Sequence, residues 1–394
     1  MIKKQTNTSH RPDTILTHAG LHPRDYHGFV NPPVVHASTV LYPDMDTMKS
    51  RGQRYSYGRH GTPTVEALEE ALTELEGAAG TRLAPSGLAA IALALQSCLS
   101  KGDHLLVSDS VYGPNRNFCE RVLPRWGVEV SYYAPLDLDA LKAAFQPNTR
   151  AVFTEAPGTA TFEMQDIPAI CKIARAHDAL VLMDNTWATP LYFKPIEHGV
   201  DLSIQAGTKY IVGHSDAMLG TISASERAFE DLARMYSDTG TCVGPDDVYL
   251  ALRGLRTMGV RLERHEKNAL EVAAWLRERA DVTSVLYPAL PGAPGHDVWK
   301  RDFTGACGLF AFELEQADDE AAKAFFNALE LFGLGYSWGG FESLATWPDP
   351  KEARTATAWE GHGPLVRVHI GLEDPADQIA DLERGFAAFH AAKG

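Results

Sequence analysis

No Gly-Lys dipeptide occurs in the 394 residues, so the chain has no Walker-type phosphate loop, and no GxGxxG follows the first strand-like run. Gly213-His-Ser-Asp-Ala217 ends in alanine and is therefore not the GxSxG turn of a hydrolase. His265-Glu266 lacks the second histidine of a zinc-protease helix, and the 15 histidines show no metal-ligand spacing, so no metal is expected. The five cysteines (98, 119, 171, 242 and 307) include no CxxC pair, and an odd, dispersed set suits reduced thiols. Basic charge is also scarce: 36 Lys and Arg against 51 Asp and Glu leave a net charge of −15. Such a chain offers no field for nucleic acid or an anionic membrane surface. The longest apolar run, 88–95, is far too short to cross a bilayer. Met-Ile-Lys-Lys-Gln-Thr-Asn-Thr at the start has no apolar core and is not expected to act as a signal peptide, so the expectation is a soluble, cytoplasmic protein with a small-molecule partner.

Apolar residues make up 45% of the chain, enough for a large core and a second, smaller one. Residues 1–60 lack sustained periodicity, carry Pro32-Pro33 and several aromatics, and read as an extended arm that must bury itself against something, a neighbouring subunit being a reasonable candidate. Thr62 and Pro63 suit a helix start, Val65, Leu68, Leu72 and Leu75 follow at helical spacing, and Gly77 suits its end. Strand-like runs at 104–107, 128–133, 151–154, 180–183, 202–204 and 219–223 then alternate with amphipathic stretches such as 86–99, 115–126 and 167–177. This alternation predicts an α/β fold with a mostly parallel sheet covered on both faces. A long helical pattern from 248 to 276, interrupted at Gly254 or Gly259, leads to strands at 309–314 and 365–371 and helices at 318–332 and 376–391, a smaller α+β unit. The predicted division is an arm over 1–60, a large domain over 61–255 and a small C-terminal domain over 256–394.

Four residue types occur in an order that suits chemistry on pyridoxal phosphate (PLP). Ser86-Gly87-Leu88 opens a helix whose free N–H groups suit a phosphate. Tyr112, in the loop after a strand, suits stacking on a flat ring. Asp184 ends the run Leu180-Val-Leu-Met, where the carboxyl end of a buried strand faces the ligand crevice of an open sheet. A charge pair at ~4 Å and an effective dielectric of ~20 is worth about 4 kcal/mol, roughly three pKa units, enough to keep a pyridine nitrogen protonated. Lys209, after the strand 202–204 and beside Thr208, suits capture of the aldehyde as an imine and later proton transfer; Thr208 suits the phosphate. Each residue alone also has an ordinary reading: Ser86 and Asp184 as caps, Tyr112 as a packed ring, Lys209 as a surface lysine.

Asp184-Asn-Thr-Trp-Ala188, Gln205-Ala-Gly-Thr-Lys-Tyr-Ile-Val-Gly-His-Ser-Asp216 and Tyr336-Ser-Trp-Gly-Gly-Phe-Glu-Ser343 together resemble the Cys/Met-metabolism family of PLP enzymes, from about residue 12 to the C-terminus. The resemblance implies fold-type I: an aminotransferase-like large domain, a small C-terminal domain and a homotetramer of catalytic dimers. It implies that Lys209 carries PLP, Asp184 pairs with the ring nitrogen, Tyr112 stacks on the ring, and Ser86, Gly87, Leu88 and Thr208 hold the phosphate. Tyr57 and Arg59 would reach the cofactor and active site from a partner subunit. Arg367 would clamp the substrate carboxylate, and Tyr236, Ser337 and Trp338 would line the site. The implied reaction is α,β-elimination of cystathionine, with Lys209 as base and Tyr57 and Tyr112 near the leaving sulfur. Trp338 and the stretch Glu155-Ala-Pro-Gly158 speak for β- over γ-cleavage. The rival enzyme readings are a γ-type or broader C–S lyase, and a non-catalytic regulator is the alternative of another class. Ala206-Gly207 before Thr208 lacks a hydroxyl that many relatives have. His60 and Asn117 also differ from part of the family, at positions that concern the far end of the substrate, so compact cysteine conjugates are expected to be accepted as well.

Overall fold

A computed structural model describes residues 10–351 and 354–393. Seven strands form the first sheet: β1 (Gly80–Ala84), β2 (His104–Ser108), β3 (Glu129–Tyr133), β4 (Thr149–Glu155), β5 (Leu180–Asp184), β6 (Leu202–Gln205) and β7 (Gly220–Ala224). Their order is β1-β7-β6-β5-β4-β2-β3. β3, β2, β4, β5 and β6 run parallel, and β7 pairs antiparallel with both β6 and β1. Parallel strands need crossovers, and helices such as Gly87–Cys98 and Ile167–Ala176 supply them and cover the faces. The central strands are accordingly buried along their length: Leu105, Leu106, Val152, Phe153, Leu182 and Ile204 show no exposure.

The second sheet comes entirely from the C-terminal part. β8 (Val282–Leu286), β9 (Leu309–Leu314), β10 (Gly333–Leu334), β11 (Leu344–Thr346) and β12 (Leu365–His369) stand in the order β10-β11-β12-β9-β8. All neighbours are antiparallel except β10 and β11. Helix Pro375–Lys393 packs on it through Phe386, whose ring meets Phe312 of β9 and also Phe325 of the neighbouring helix Asp319–Asn327.

Local signals explain most boundaries. The Thr62 hydroxyl caps helix Pro63–Glu76 by accepting from the Val65 N–H, and Gly77 ends it with φ of 65°. The long periodic stretch is two helices, Pro245–Leu255 and Met258–Arg277. At Gly254 a Cβ would sit 2.2 Å from the Val212 carbonyl oxygen, so only glycine lets this helix reach the segment after Lys209.

Three expectations change. The arm is not extended throughout, because Pro12–His18 and Met45–Ser50 are helices. Ile15 and Leu16 are buried, and Arg256 donates to the Leu16 and Ala19 carbonyls, so the start of the arm belongs to the core. Residues 1–9 of the expected arm lie outside the described residues. Strand β1 was not foreseen because Arg82 interrupts its apolar run; the guanidinium pairs with Glu69 at 3.0 Å and lies over the Phe229 ring at 5.1 Å. Strand β8, whose exposed Thr283 and half-buried Ser284 dilute its pattern, also lies outside the expected strands.

Candidate active site at the carboxyl edge of the first sheet

Parallel strands end together, and what ends here is polar. Glu155 closes β4, Asp184 closes β5 in register beside it, and Gln205 closes β6. Ser86 and Tyr112 begin the segments that leave β1 and β2 on the same edge, and Lys209 follows β6 after a turn. The crevice lies where side chains from several strand ends converge.

Asp184 is fixed by its own loop. Its Oδ1 accepts from the Thr186 N–H at 3.0 Å and from the Thr186 hydroxyl at 2.5 Å, while Oδ2 has no hydrogen bond among the described residues. The Ala206 N–H donates to the same Thr186 hydroxyl at 2.9 Å, which ties the segment before Lys209 to the acid. Burial pushes the Asp184 carboxyl up, against the hydrogen bonds of Thr186 and the charge of Lys209. A deep carboxylate with one free oxygen is suited to a cationic ring nitrogen, which would favour its charged form.

Lys209 is half-buried. Its Nζ hydrogen-bonds the Ser337 hydroxyl and lies 5.3 Å from the centre of the Trp338 ring. Trp338 in turn packs on the buried Tyr210 at 5.6 Å. Ser337 has φ of 85°, a left-handed conformation uncommon outside glycine, and Gly339 follows at the same φ. A Cβ on Gly339 would lie 2.9 Å from the Lys209 backbone, so glycine is what allows this loop to close over the lysine. Burial first, and then the Arg367 charge, lower the Lys209 amine to about 8, with Asp184 acting in the opposite direction.

That shift has a measurable consequence. Only the neutral amine attacks an aldehyde, so the rate at which apoprotein captures PLP should rise with pH through a midpoint of about 8. Arg367→Gln removes a positive neighbour and should move the midpoint up; Asp184→Asn removes a negative one and should move it down. Stopped-flow absorbance across pH 6–11 reads both, and a wild-type midpoint near the ordinary lysine value of 10.5 would contradict the placement.

At the opposite end, helix Gly87–Cys98 starts with Ser86, whose Oγ accepts from the Ala89 N–H at 3.1 Å. The N–H groups of Gly87 and Leu88 have no backbone partner among the described residues. A Cβ on Gly87 would meet that of Ala206 at 2.6 Å, so the helix start and the lysine loop touch. Two free N–H groups at a helix N-terminus suit a phosphate. The Thr208 hydroxyl is committed elsewhere: it donates to the Leu219 carbonyl at 3.1 Å and accepts from its N–H at 3.0 Å.

Tyr112 is 42% exposed. Its phenol is raised by burial, then by Asp184 and Glu155, and lowered by Arg367, so all three charges bear on it. Its N–H donates to Glu155 Oε2 at 2.7 Å. Burial and the adjacent Asp184 push the Glu155 carboxyl well up. Arg367, on β12, is a half-buried guanidinium with no hydrogen bond or ion pair among the described residues. Burial lowers it, and Tyr112 and Tyr336 act in the opposite direction. An unpaired guanidinium facing a polar crevice is suited to an incoming carboxylate.

Three candidates make their contacts with other residues of the protomer. Arg59 donates to the Ser237 carbonyl at 2.8 Å and meets His60 at 2.9 Å, and Tyr57 stands edge-on to the His60 ring. Tyr236 packs beneath the Arg82 guanidinium at 5.8 Å. No hydrogen bond, ion pair or ring contact joins Tyr57, Arg59 or Tyr236 to Lys209, Asp184 or Arg367 among the described residues. His60 and Asn117 are both exposed. Sequence reasoning named Glu155 only for the cleavage position and did not single out Thr186 or Gly339 as site residues; Glu155, an acid closing a strand-like run as Asp184 does, and Thr186, two residues after an acid in a loop, carry local signals.

A free helix N-terminus, a half-buried acid with one open oxygen, an amine of lowered basicity and an exposed tyrosine fit a flat, phosphorylated, aldehyde-bearing heterocycle. The family model for "Cys/Met metabolism PLP-dependent enzyme" matches residues 13–387. The chain belongs to this family. PLP is therefore its cofactor, and the chain is an enzyme of α/β fold. It is 43% identical to the cystathionine beta-lyase of Salmonella typhimurium, covering 96% of this chain and 99% of that one. It is 42% identical to cystathionine beta-lyase MetC of Escherichia coli, over 95% and 98%. A solved structure of cystathionine gamma-lyase from Lactobacillus plantarum, in complex with L-serine, superposes with a TM-score of 0.90 at 30% identity, covering 97% of this chain and 100% of that one. Among the described residues, no group of His, Cys, Asp and Glu could hold a metal, and no helix is long and apolar enough to cross a membrane.

Proposed function

We propose that the chain cleaves L-cystathionine by α,β-elimination, consuming one water and releasing homocysteine, pyruvate and ammonia. The observation that carries this reading is the unpaired Arg367 guanidinium beside the Lys209 amine, with Trp338 behind that amine. Identity above 40% with two cystathionine beta-lyases supports the choice of substrate. When bound, PLP supplies an electron sink for the pair left behind as the α-proton departs. Ser86, Gly87 and Leu88 hold the phosphate, Thr208 borders it, Asp184 faces the ring nitrogen, and Tyr112 covers the ring. Arg367 grips the α-carboxylate and turns the α-proton toward Lys209. The Lys209 amine, free of its covalent role once substrate is bound, takes that proton, and Ser337 orients Nζ while it does so. Tyr112 stands on the side where the sulfur leaves and protonates as a thiol. Trp338, in the stretch Ser337-Trp-Gly-Gly340, resembles the β-cleaving version of this loop and speaks for cleavage at the β-carbon.

Tyr57 and Arg59 form a patch presented to a second copy, whose crevice they complete, and Tyr236 lies buried within the protomer. The exposed apolar residues of the arm, Phe29, Val30 and Leu41, suit that contact. The assembly is a homotetramer of catalytic dimers in the cytoplasm, and the chain divides near residue 255 into a cofactor-holding domain and a smaller C-terminal one. γ-Cleavage is the second reading, favoured by the shared fold with a gamma-lyase. Incubation of the PLP-loaded enzyme with L-cystathionine should release thiol, 2-oxo acid and ammonia in equal amounts. Failure to release any thiol would remove C–S lyase activity from consideration.

A further inference from the structure

Asp109 follows β2, three positions before Tyr112, and is 2% exposed. Its carboxylate collects an unusual set of donors. The N–H groups of Thr355, Ala356 and Thr357 reach it at 3.0, 2.9 and 2.7 Å. The Thr357 hydroxyl adds a bond at 2.9 Å, and Arg116 Nη1 one at 2.9 Å. Three consecutive N–H groups around one carboxylate form an anion nest, here filled by a side chain from the other end of the sequence. Arg116 makes a second link to the same segment: its Nη2 donates to the Thr355 hydroxyl at 2.6 Å while its guanidinium lies 3.7 Å over the Tyr132 ring.

The loop that carries Tyr112 is therefore held at both ends, by Asp109 before it and Arg116 after it, to one short stretch, 355–357. Glu155 holds its middle, through the Tyr112 N–H. That stretch leads into β12 and so to Arg367. Arg354, immediately before that stretch, adds a staple to Glu163 at 2.6 Å.

We propose that Asp109 is a positioning residue: by locking segment 355–357 to the Tyr112 loop it sets the span between Tyr112 and Arg367 across which an α-amino acid is held. This rests on the reading of Arg367 as the carboxylate clamp. A plain structural staple would lower thermal stability alone. A positioning role moves ligand affinity as well, because a guanidinium displaced by about 1 Å loses its two-point geometry.

The test uses glycine, which fits the same α-amino acid site but has no leaving group, titrated into the PLP-loaded enzyme and followed by visible absorbance. Asp109→Asn puts an amide NH2 against N–H donors and breaks the nest. It should weaken glycine binding tenfold or more while PLP content stays stoichiometric. Thr357→Val removes one donor, is expected to fold, and should weaken binding two- to fivefold. Glycine binding unchanged in both variants, even with a lowered melting temperature, would overturn the role. A wild-type enzyme that binds no α-amino acid would overturn the clamp reading, and this role with it.

Discussion

Replacing Lys209 by alanine should abolish the visible absorbance of lysine-bound PLP and reduce turnover of L-cystathionine by at least about 10³-fold, the middle of the range of roughly 10²–10⁴ for loss of a single acid–base group. Two functions vanish together. The amine that captures the aldehyde is gone, and so is the base 5.3 Å from the Trp338 ring that the Ser337 hydroxyl holds in place. The fold should survive, since the side chain makes no ion pair and only one hydrogen bond to protein among the described residues. Absorbance, circular dichroism and steady-state rates separate these effects. A variant that keeps the visible band would show that the cofactor is anchored elsewhere.

Arg367→Leu should raise KM for α-amino acid substrates by roughly two to three orders of magnitude. A charge-assisted hydrogen bond contributes about 1.5–3 kcal/mol, and a guanidinium offers a carboxylate two in parallel. Arg367→Lys keeps the charge and loses the fork, so it should recover only part of the loss. The same substitutions carry an internal control. Because the Arg367 charge lowers the Lys209 amine, its removal should shift the pH dependence of PLP capture upward, in a protein that has met no substrate. A KM effect without that shift would place Arg367 farther from Lys209 than the structure does.

What was legible in the sequence follows from range. Thr62, Pro63 and Gly77 mark one helix because capping is decided within a few residues. Asp184 and Ser86 were readable because a strand end and a helix start fix where their side chains sit. Lys209 could be placed after β6, but its lowered basicity depends on burial first and then on Arg367, far along the chain. Asp109 shows the limit most clearly: its nest comes from partners 246 to 248 residues away, and no local pattern announces them. β1 was hidden because Arg82, whose charge Glu69 answers from the preceding helix, breaks its apolar run. Tyr57, Arg59 and Tyr236 entered through family resemblance, and within one protomer no hydrogen bond, ion pair or ring contact joins them to Lys209 among the described residues.

The identity of the 2-oxo acid formed from L-cystathionine tests the central claim most directly. After a limited turnover of the PLP-loaded enzyme, derivatisation and chromatography distinguish the three-carbon product from the four-carbon one. β-Elimination predicts pyruvate with homocysteine. Formation of 2-oxobutyrate with cysteine, and no pyruvate, would contradict it.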